Sequence, residues 1–489
     1  MKISKLIWCV VTVAIISSEA FAATNKVFCY FGSWAGGRSG NGAFSVENIN
    51  PNLCTHIAYS FIGLNTDGSV KLLDSGTLFT RFINLKNSNP NVKLLIAMGG
   101  WNEGSTTYSA VAASTSKRAA FVTSVYNFLN KYGFDGFDFD WEYPGLRGGV
   151  YADRVNFITL LKELKEKFNG AKLLTAAVGA TQSFHQSSYD VVQMNQYLDL
   201  INIMSYDYHG AYDGVTGQTS PLYASSVDTN AQLNQDASIT AWINAGASPQ
   251  KLLMGVALYG RSFTLSNVNN NKVGSPTSGP GAAGPYTLES GTLSHLEICE
   301  KLKSSGWTTV FDDKQKNPYS YNGNQWIGYD NTQSVQIKAE YAIARNLGGI
   351  MVWAIDYEDA KNVCGGGAFP LLQTINQVLS GSTGSTTTPA TTVTTTTTTK
   401  APTTTTKAST TTTTKAPTTT TRATTNVPTP GEFVCTASGT FRDPTDCSVY
   451  YYCGANWNGN YSKTRYECKY GLVYDELRSL CNYAWAVRC

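Results

Sequence analysis

Between about residue 26 and residue 380, short apolar runs rich in β-branched and aromatic residues alternate with longer amphipathic stretches. The apolar runs fall at 27–31, 56–62, 93–98, 136–140, 173–178, 200–204, 252–258 and 349–354, and each reads as a strand. Between them, 117–129 places Phe121, Val125 and Phe128 at helical spacing, and 153–168 does the same with Phe157, Leu161, Leu164 and Phe168. Eight strands alternating with helices predict an α/β fold, a parallel sheet covered by helices, with the TIM (β/α)8 barrel as leading architecture. One connection is too long for a simple βα unit. Between Tyr259 and about Thr332 lie a Gly/Pro/Asn-rich stretch at 267–285 and an aromatic segment at 307–326, whose ring content argues against a disordered loop.

Past residue 380 the pattern changes twice. Residues 381–430 are dominated by Thr, and the run Lys-Ala-Pro-Thr-Thr-Thr-Thr starts at Lys400 and again at Lys415. No core can form from it, so an extended linker is expected, O-glycosylated in a secretory pathway and reaching at least ~40 Å on flexible-chain scaling. Residues 431–489 are too few to hold together by burial alone, and their six cysteines supply the missing constraint. A small disulfide-rich β module with three bridges is the simplest reading. Its Tyr450, Tyr451, Tyr452, Trp457, Tyr461 and Trp485 are more rings than so small a core can bury.

At the amino terminus, Lys2 and Lys5 precede an apolar run at 6–16 and then Ala20-Phe-Ala22, which together predict a signal peptide over 1–22. The run is too short to span a membrane, so the expectation is a secreted, soluble protein. Cleavage removes Cys9 and leaves ten cysteines, for which disulfides are the default in an oxidising compartment. The 489 residues, 42% hydrophobic and 15% charged, suffice for one large core plus an appended module. A net charge of +3 with scattered basic residues gives a nucleic acid no footprint and suits a neutral polymer better. His56, His185, His209 and His295 show no metal-ligand spacing, so neither metal nor cofactor is expected.

The chemistry concentrates in FDGFDFDWEYP, residues 134–144. Asp138, Asp140 and Glu142 alternate, which puts three carboxyls on one face of a strand while Phe137, Phe139 and Trp141 point the other way. Such a row repels itself on folding and is expected where a proton has to be handled. A calcium loop spaces its ligands on turns with Asn and Gly, unlike this run. Steps of two residues separate Cα atoms by ~6.6 Å, so only the outermost group, Glu142, reaches a substrate. The charges behind it are expected to raise its proton affinity, as suits a general acid.

The run Asp135 to Glu142 matches the signature DGxDxDWE of the glycoside hydrolase family 18 chitinases, which this chain resembles. The resemblance continues through Lys93-Leu-Leu-Ile-Ala-Met-Gly-Gly-Trp101, Met204-Ser-Tyr-Asp-Tyr208, Leu258-Tyr-Gly-Arg-Ser262 and Gly348-Gly-Ile-Met-Val-Trp353. One departure is Ala97, where the family often has Ser. The resemblance implies a catalytic barrel over 23–380 with a small α+β insertion domain at about 263–332, walling one side of the cleft. It also implies an endo-acting chitinase that cleaves β-1,4 N-acetylglucosamine linkages with retention, the substrate's own acetamido oxygen serving as nucleophile. Glu142 would then be the acid, Asp140 the group that orients the acetamido, Asp138 its buried support, and Tyr206 and Asp207 its hydrogen-bonding partners. Tyr30, Trp34, Trp101, Asn102, Tyr143, Met204, Tyr259, Arg261 and Trp353 correspond to cleft positions that bind sugar.

The terminal module resembles the peritrophin-A type of chitin-binding domain, carbohydrate-binding family 14, on Cys435, Cys447, Cys453, Cys468, Cys481 and Cys489 with their flanking Asp and Tyr residues. That resemblance suggests Cys435 with Cys453, Cys447 with Cys489 and Cys468 with Cys481, while the partition of cysteines predicts Cys29–Cys54 and Cys299–Cys364 in the barrel. The expected partners are chitin and its oligosaccharides, with no nucleic acid and no membrane, and the chain is expected to act as a monomer. A non-hydrolytic chitin lectin would share the fold without the acid, and an endo-β-N-acetylglucosaminidase acting on N-glycans would lack the chitin-binding tail.

Overall fold

A computed structural model describes residues 25–381, 433–435, 439–455, 461–468, 472–475 and 480–483. The expected leader at 1–22 and nearly all of the expected linker at 381–430 lie outside these residues. The chain divides into two compact units, one ending at Gly384 and one beginning at Ser385.

In the first unit eight parallel strands follow one another: β1 (Lys26–Gly32), β2 (His56–Leu64), β3 (Lys93–Gly99), β4 (Gly136–Asp140), β5 (Leu173–Gly179), β6 (Leu200–Met204), β7 (Leu252–Ala257) and β8 (Gly349–Trp353). Each pairs with its neighbours in chain order, and β1 pairs with both β2 and β8, so the sheet closes. All eight overlap the apolar runs read from the sequence. Their nearly continuous apolar character follows from closure, because helices cover the outside and side chains fill the inside. Val27, Cys29, Phe31, Leu94, Ile96, Phe137, Phe139, Leu174, Ile201 and Val352 join the outer core, while Phe28, Tyr30, Ala58, Leu95, Ala97, Ala177, Leu253 and Met351 fill the barrel.

The helices between strands present the faces that the periodicity predicts. Thr115–Tyr132 buries Phe121, Val122, Val125, Phe128 and Leu129, and Asp153–Phe168 buries Phe157, Leu160, Leu161, Leu164 and Phe168. Ser114 caps the first by accepting from Lys117 N, and Gly133, at φ 86°, ends it.

The insertion is α+β, and its first strand starts a few residues before the expected limit of about 263. Strand Tyr259–Leu265 runs on from β7 through Leu258 and pairs antiparallel with Thr277–Pro280, Thr292–Ser294 and Gln325–Gly328. Thr308–Asp312 and Asn317–Asn322 complete the sheet, and His295–Lys303 is its helix. The insertion therefore starts at the barrel rim, and Tyr259 and Arg261 belong to both. Its far boundary is set by Asn331, whose side chain accepts from Ser334 N to start helix Thr332–Ala344.

Cys29–Cys54 and Cys299–Cys364 are bridged in this unit. In the second unit Gly439–Arg442, Val449–Ala455 and Tyr461–Glu467 form a three-stranded sheet, and Leu472–Asp475 pairs with Leu480–Tyr483. Cys435 is bridged to Cys453. Cys447 and Cys468 are also disulfide-bonded, to partners outside the described side chains.

Candidate active site

The acidic row occupies the inward face of β4 and its first residues beyond the rim. Phe137, Phe139 and Trp141 pack outward, so the alternation of the chain turns Asp138, Asp140 and Glu142 into the barrel. Exposure rises along the row, 0% at Asp138, 3% at Asp140 and 8% at Glu142, so Glu142 lies nearest the opening. Gly99 makes room for the row. At φ 119° a Cβ there would sit 1.9 Å from the Asp140 carbonyl oxygen, which receives Gly100 N at 2.8 Å.

Asp138 is held by three donors from three other strands. Tyr30 Oη on β1 donates to Oδ2 at 2.7 Å, and Asn202 Nδ2 on β6 donates to Oδ1 at 3.2 Å and to Tyr30 Oη at 3.0 Å. Thr175 Oγ1 on β5 also donates to Oδ1. Burial lifts the Asp138 pKa to about 6, and these hydrogen bonds oppose the lift. Asp140 has no such support: its Oδ1 is buried without a hydrogen-bond partner. Burial, then the charge of Glu142, then that of Asp138 push its pKa well above the carboxylate range.

Burial is also the first cause at Glu142, where it raises the pKa to about 7 against the pull of Tyr143 and Arg147. The sequence reading gave that role to the charges of Asp138 and Asp140. Asp207 adds to the rise from outside the row, and within it Asp140 and Glu142 repel each other as a pair. A carboxyl titrating near 7 holds a proton that it can give up at neutral pH.

Across the opening, Tyr206 and Asp207 follow β6. Among the described residues the one hydrogen-bond partner of the Tyr206 hydroxyl is Met351 Sδ, at 3.8 Å. Asp207, at φ 57°, is firmly engaged: Tyr259 Oη donates to Oδ1 at 2.8 Å, Arg261 Nε to Oδ1 at 2.8 Å and Arg261 Nη2 to Oδ2 at 2.7 Å. An aromatic wall stands on the side of β8 and β1. Trp353 stacks with Phe61 at 5.8 Å, and Trp34, 48% exposed, lies 6.2 Å from Phe61 and 6.4 Å from Trp353. Beyond β3, Trp101 is 54% exposed, with the Arg147 guanidinium 3.5 Å from its ring centroid. Arg147 also donates to Trp101 O at 2.7 Å and Glu142 O at 3.1 Å, tying the two loops together.

The remaining expected cleft residues take varied places. Asn102 is exposed on the turn Trp101–Glu103, Tyr143 is half-buried against the Phe184 ring at 4.5 Å, and Met204 faces the barrel interior. Tyr30 is 1% exposed and donates to Asp138. Sequence reasoning missed Thr175, Asn202, Arg147 and Phe61. The inward positions of β5 and β6 were the one available signal for the first two, since a polar residue there needs a partner inside the barrel.

In the second unit, Tyr450 lies between two rings, 4.1 Å from Tyr474 and 5.3 Å from Tyr466, with interplanar angles of 11° and 18°. Tyr451 is covered by Phe433 at 4.6 Å. Tyr466 is 45% exposed. Trp457, Trp485 and the side chains of Tyr452 and Tyr461 lie outside what is described.

With this geometry in place, the comparisons with known proteins are specific. The model of glycosyl hydrolases family 18 matches residues 26–358, and the model of the chitin binding peritrophin-A domain matches residues 435–489. Chitotriosidase-1 of Mus musculus is 37% identical over 391 residues, covering 77% of this chain and 82% of that protein. The crystal structure of Ostrinia furnacalis Group IV chitinase in complex with allosamidin shares 44% identity at a TM-score of 0.71, covering 73% of this chain and 99% of that one. Human YKL-39, described as a pseudo-chitinase with retained chitooligosaccharide binding, shares 36% identity at a TM-score of 0.69, covering 73% of this chain and 100% of that one.

Proposed function

The chain belongs to the family 18 glycosyl hydrolases and is an enzyme of the chitinase type, and from that premise we propose that it is a secreted, endo-acting chitinase. It cleaves β-1,4 bonds between N-acetylglucosamine units with retention, using the substrate's acetamido oxygen as nucleophile. The observation that carries this reading is Glu142, a buried carboxyl at the mouth of the barrel whose pKa of about 7 lets it hold a proton for a leaving oxygen. A pseudo-chitinase can share this fold, so the fold alone does not carry hydrolysis.

Two features support a nucleophile from the substrate. A protein nucleophile has to be an accessible, ionised carboxylate about 5–5.5 Å from the acid. Asp207 is bound through both oxygens by Arg261 and through one by Tyr259, and Asp140 is driven toward its neutral form. Asp140 Oδ1, left without a partner, suits the acetamido N–H, and the lightly held Tyr206 hydroxyl suits the acetamido oxygen. As that oxygen bonds to C1, the C1–O bond breaks and the leaving oxygen takes the Glu142 proton. Water then attacks C1, opens the cyclic intermediate and returns a proton to Glu142. Trp353 forms the floor under the reacting sugar, and Trp34 and Trp101 extend the cleft on either side.

The leader at 1–22 directs export, the stretch 381–430 is a glycosylated tether and residues 431–489 hold the enzyme on chitin. The test is hydrolysis of N-acetylglucosamine oligomers of graded length by the wild type and by Glu142→Gln. The amide keeps the shape of the acid without its transferable proton, so oligomer binding persists while turnover falls by on the order of 10² to 10⁴-fold. Turnover of Glu142→Gln within a few-fold of wild type refutes the assignment.

A further inference from the structure

The aromatic wall is held by a carboxylate that takes no part in the chemistry above. Trp34 sits on the short turn Ser33–Gly37 directly after β1, and a 48%-exposed indole on such a turn needs something to fix it. Asp356, in the turn after β8, grips both ends of that turn. Its Oδ1 accepts from Gly32 N at 2.9 Å, before the turn, and its Oδ2 pairs with Arg38 Nη2 at 2.8 Å, after it. Arg38 Nη1 returns to the Asp356 carbonyl at 2.9 Å, so residue 356 makes two hydrogen bonds and one ion pair with the two sides of one tryptophan. The pair is dry, with side-chain exposures of 9% for Arg38 and 1% for Asp356. The Arg38 guanidinium also lies 4.6 Å from the Tyr357 ring centroid, and Tyr357 meets Tyr259, which donates to Asp207.

We propose that Asp356 and Arg38 are positioning residues that hold Trp34 beside Trp353 and so set how strongly the cleft grips a long chain of N-acetylglucosamine units, leaving the cleavage step itself untouched. The inference rests on the chitinase reading. It separates binding from chemistry because the clamp brackets the turn that carries Trp34, and none of Asp138, Asp140 or Glu142 appears among its contacts in the described residues. A loosened platform removes binding shared by ground state and transition state, which raises KM and leaves kcat unchanged.

The experiment is a double-mutant cycle of Asp356→Asn and Trp34→Ala in the full chain. It is read on a long oligomer that reaches Trp34 and on a short chromogenic substrate confined to the sites beside Glu142. Asp356→Asn should raise KM for the long oligomer by roughly two- to tenfold, the range for one aromatic platform held in or out of place, with kcat and its pH profile unchanged. The short substrate should be unaffected, and the double variant should bind no worse than Trp34→Ala alone. Additive effects, an unchanged KM or an equal loss on both substrates overturns the inference. If Asp356→Asn does not fold, Arg38→Gln removes the same ion pair from its less buried side and is read in the same cycle. A wild-type chain that cleaves neither substrate overturns the chitinase reading itself, while additivity in an active enzyme overturns the clamp alone.

Discussion

Glu142 and Asp140 share a low-dielectric site, and the difference between them is access. Activity should require protonated Glu142, so kcat/KM is expected to fall as pH rises through about 7, the value to which burial lifts this group in the free enzyme. The same shift has a stability consequence. The folded state binds the Glu142 proton more tightly than the unfolded chain, so its contribution to stability is complete below the unfolded value near 4.5 and is lost as pH rises through about 7. Glu142→Gln should therefore lose less stability than wild type between pH 5 and pH 8 in denaturant titrations. Equal slopes would mean that Glu142 titrates normally. Asp140→Asn keeps the shape but removes the carboxyl that orients the acetamido group, and kcat should drop while chitin-oligomer affinity stays within a few-fold. At this scale the row was legible because alternation in one strand is local information. Its donors Thr175, Asn202 and Tyr30 were not, since they arrive from strands whose register only the closed barrel supplies.

Barrel strands are fastened by a device that recurs at their beginnings. Asp135, just before β4, accepts Leu94 N at 2.7 Å and Lys86 Nζ at 2.7 Å; Asp199, just before β6, accepts Leu174 N at 2.8 Å and Lys165 Nζ at 2.6 Å. Each carboxylate satisfies a strand N–H and a lysine from a neighbouring segment. Asp135→Ala or Asp199→Ala should cost about 1–3 kcal/mol in unfolding free energy by leaving that N–H unpaired, with kcat on short oligomers unchanged. A loss of activity without a loss of stability would contradict a purely structural role. The strands themselves were readable in the sequence because closure and helical cover make both faces apolar. The insertion's edges were not, because β7 continues into Tyr259–Leu265 with no turn signal, only a change of pairing partner from Gly349–Trp353 to Gln325–Gly328.

The whole molecule combines a barrel unit and a terminal unit joined through a Thr-rich stretch. Deleting 385–489 should leave turnover of short soluble oligomers nearly unchanged but reduce attack on insoluble chitin, because the terminal unit raises the effective concentration of enzyme at a solid surface. An equal loss on both would show that the tail completes the barrel, and no loss on solid chitin would remove the case for an anchor. The cysteine pattern made the terminal unit legible, but which rings face outward depends on stacking. Among the described side chains Tyr450 stacks with Tyr474 and Tyr466, Tyr451 stacks with Phe433, and Tyr466 is 45% exposed.

The central claim, that the substrate supplies its own nucleophile while Glu142 supplies the proton, is tested most directly by following product anomers by NMR during hydrolysis of matched oligomers. One set is fully N-acetylated and the other fully deacetylated. The account predicts that the acetylated oligomers yield the β-anomer first, with retention, and that the deacetylated ones remain uncut even when bound. Initial release of the α-anomer, or turnover of deacetylated oligomers at a comparable rate, would contradict it.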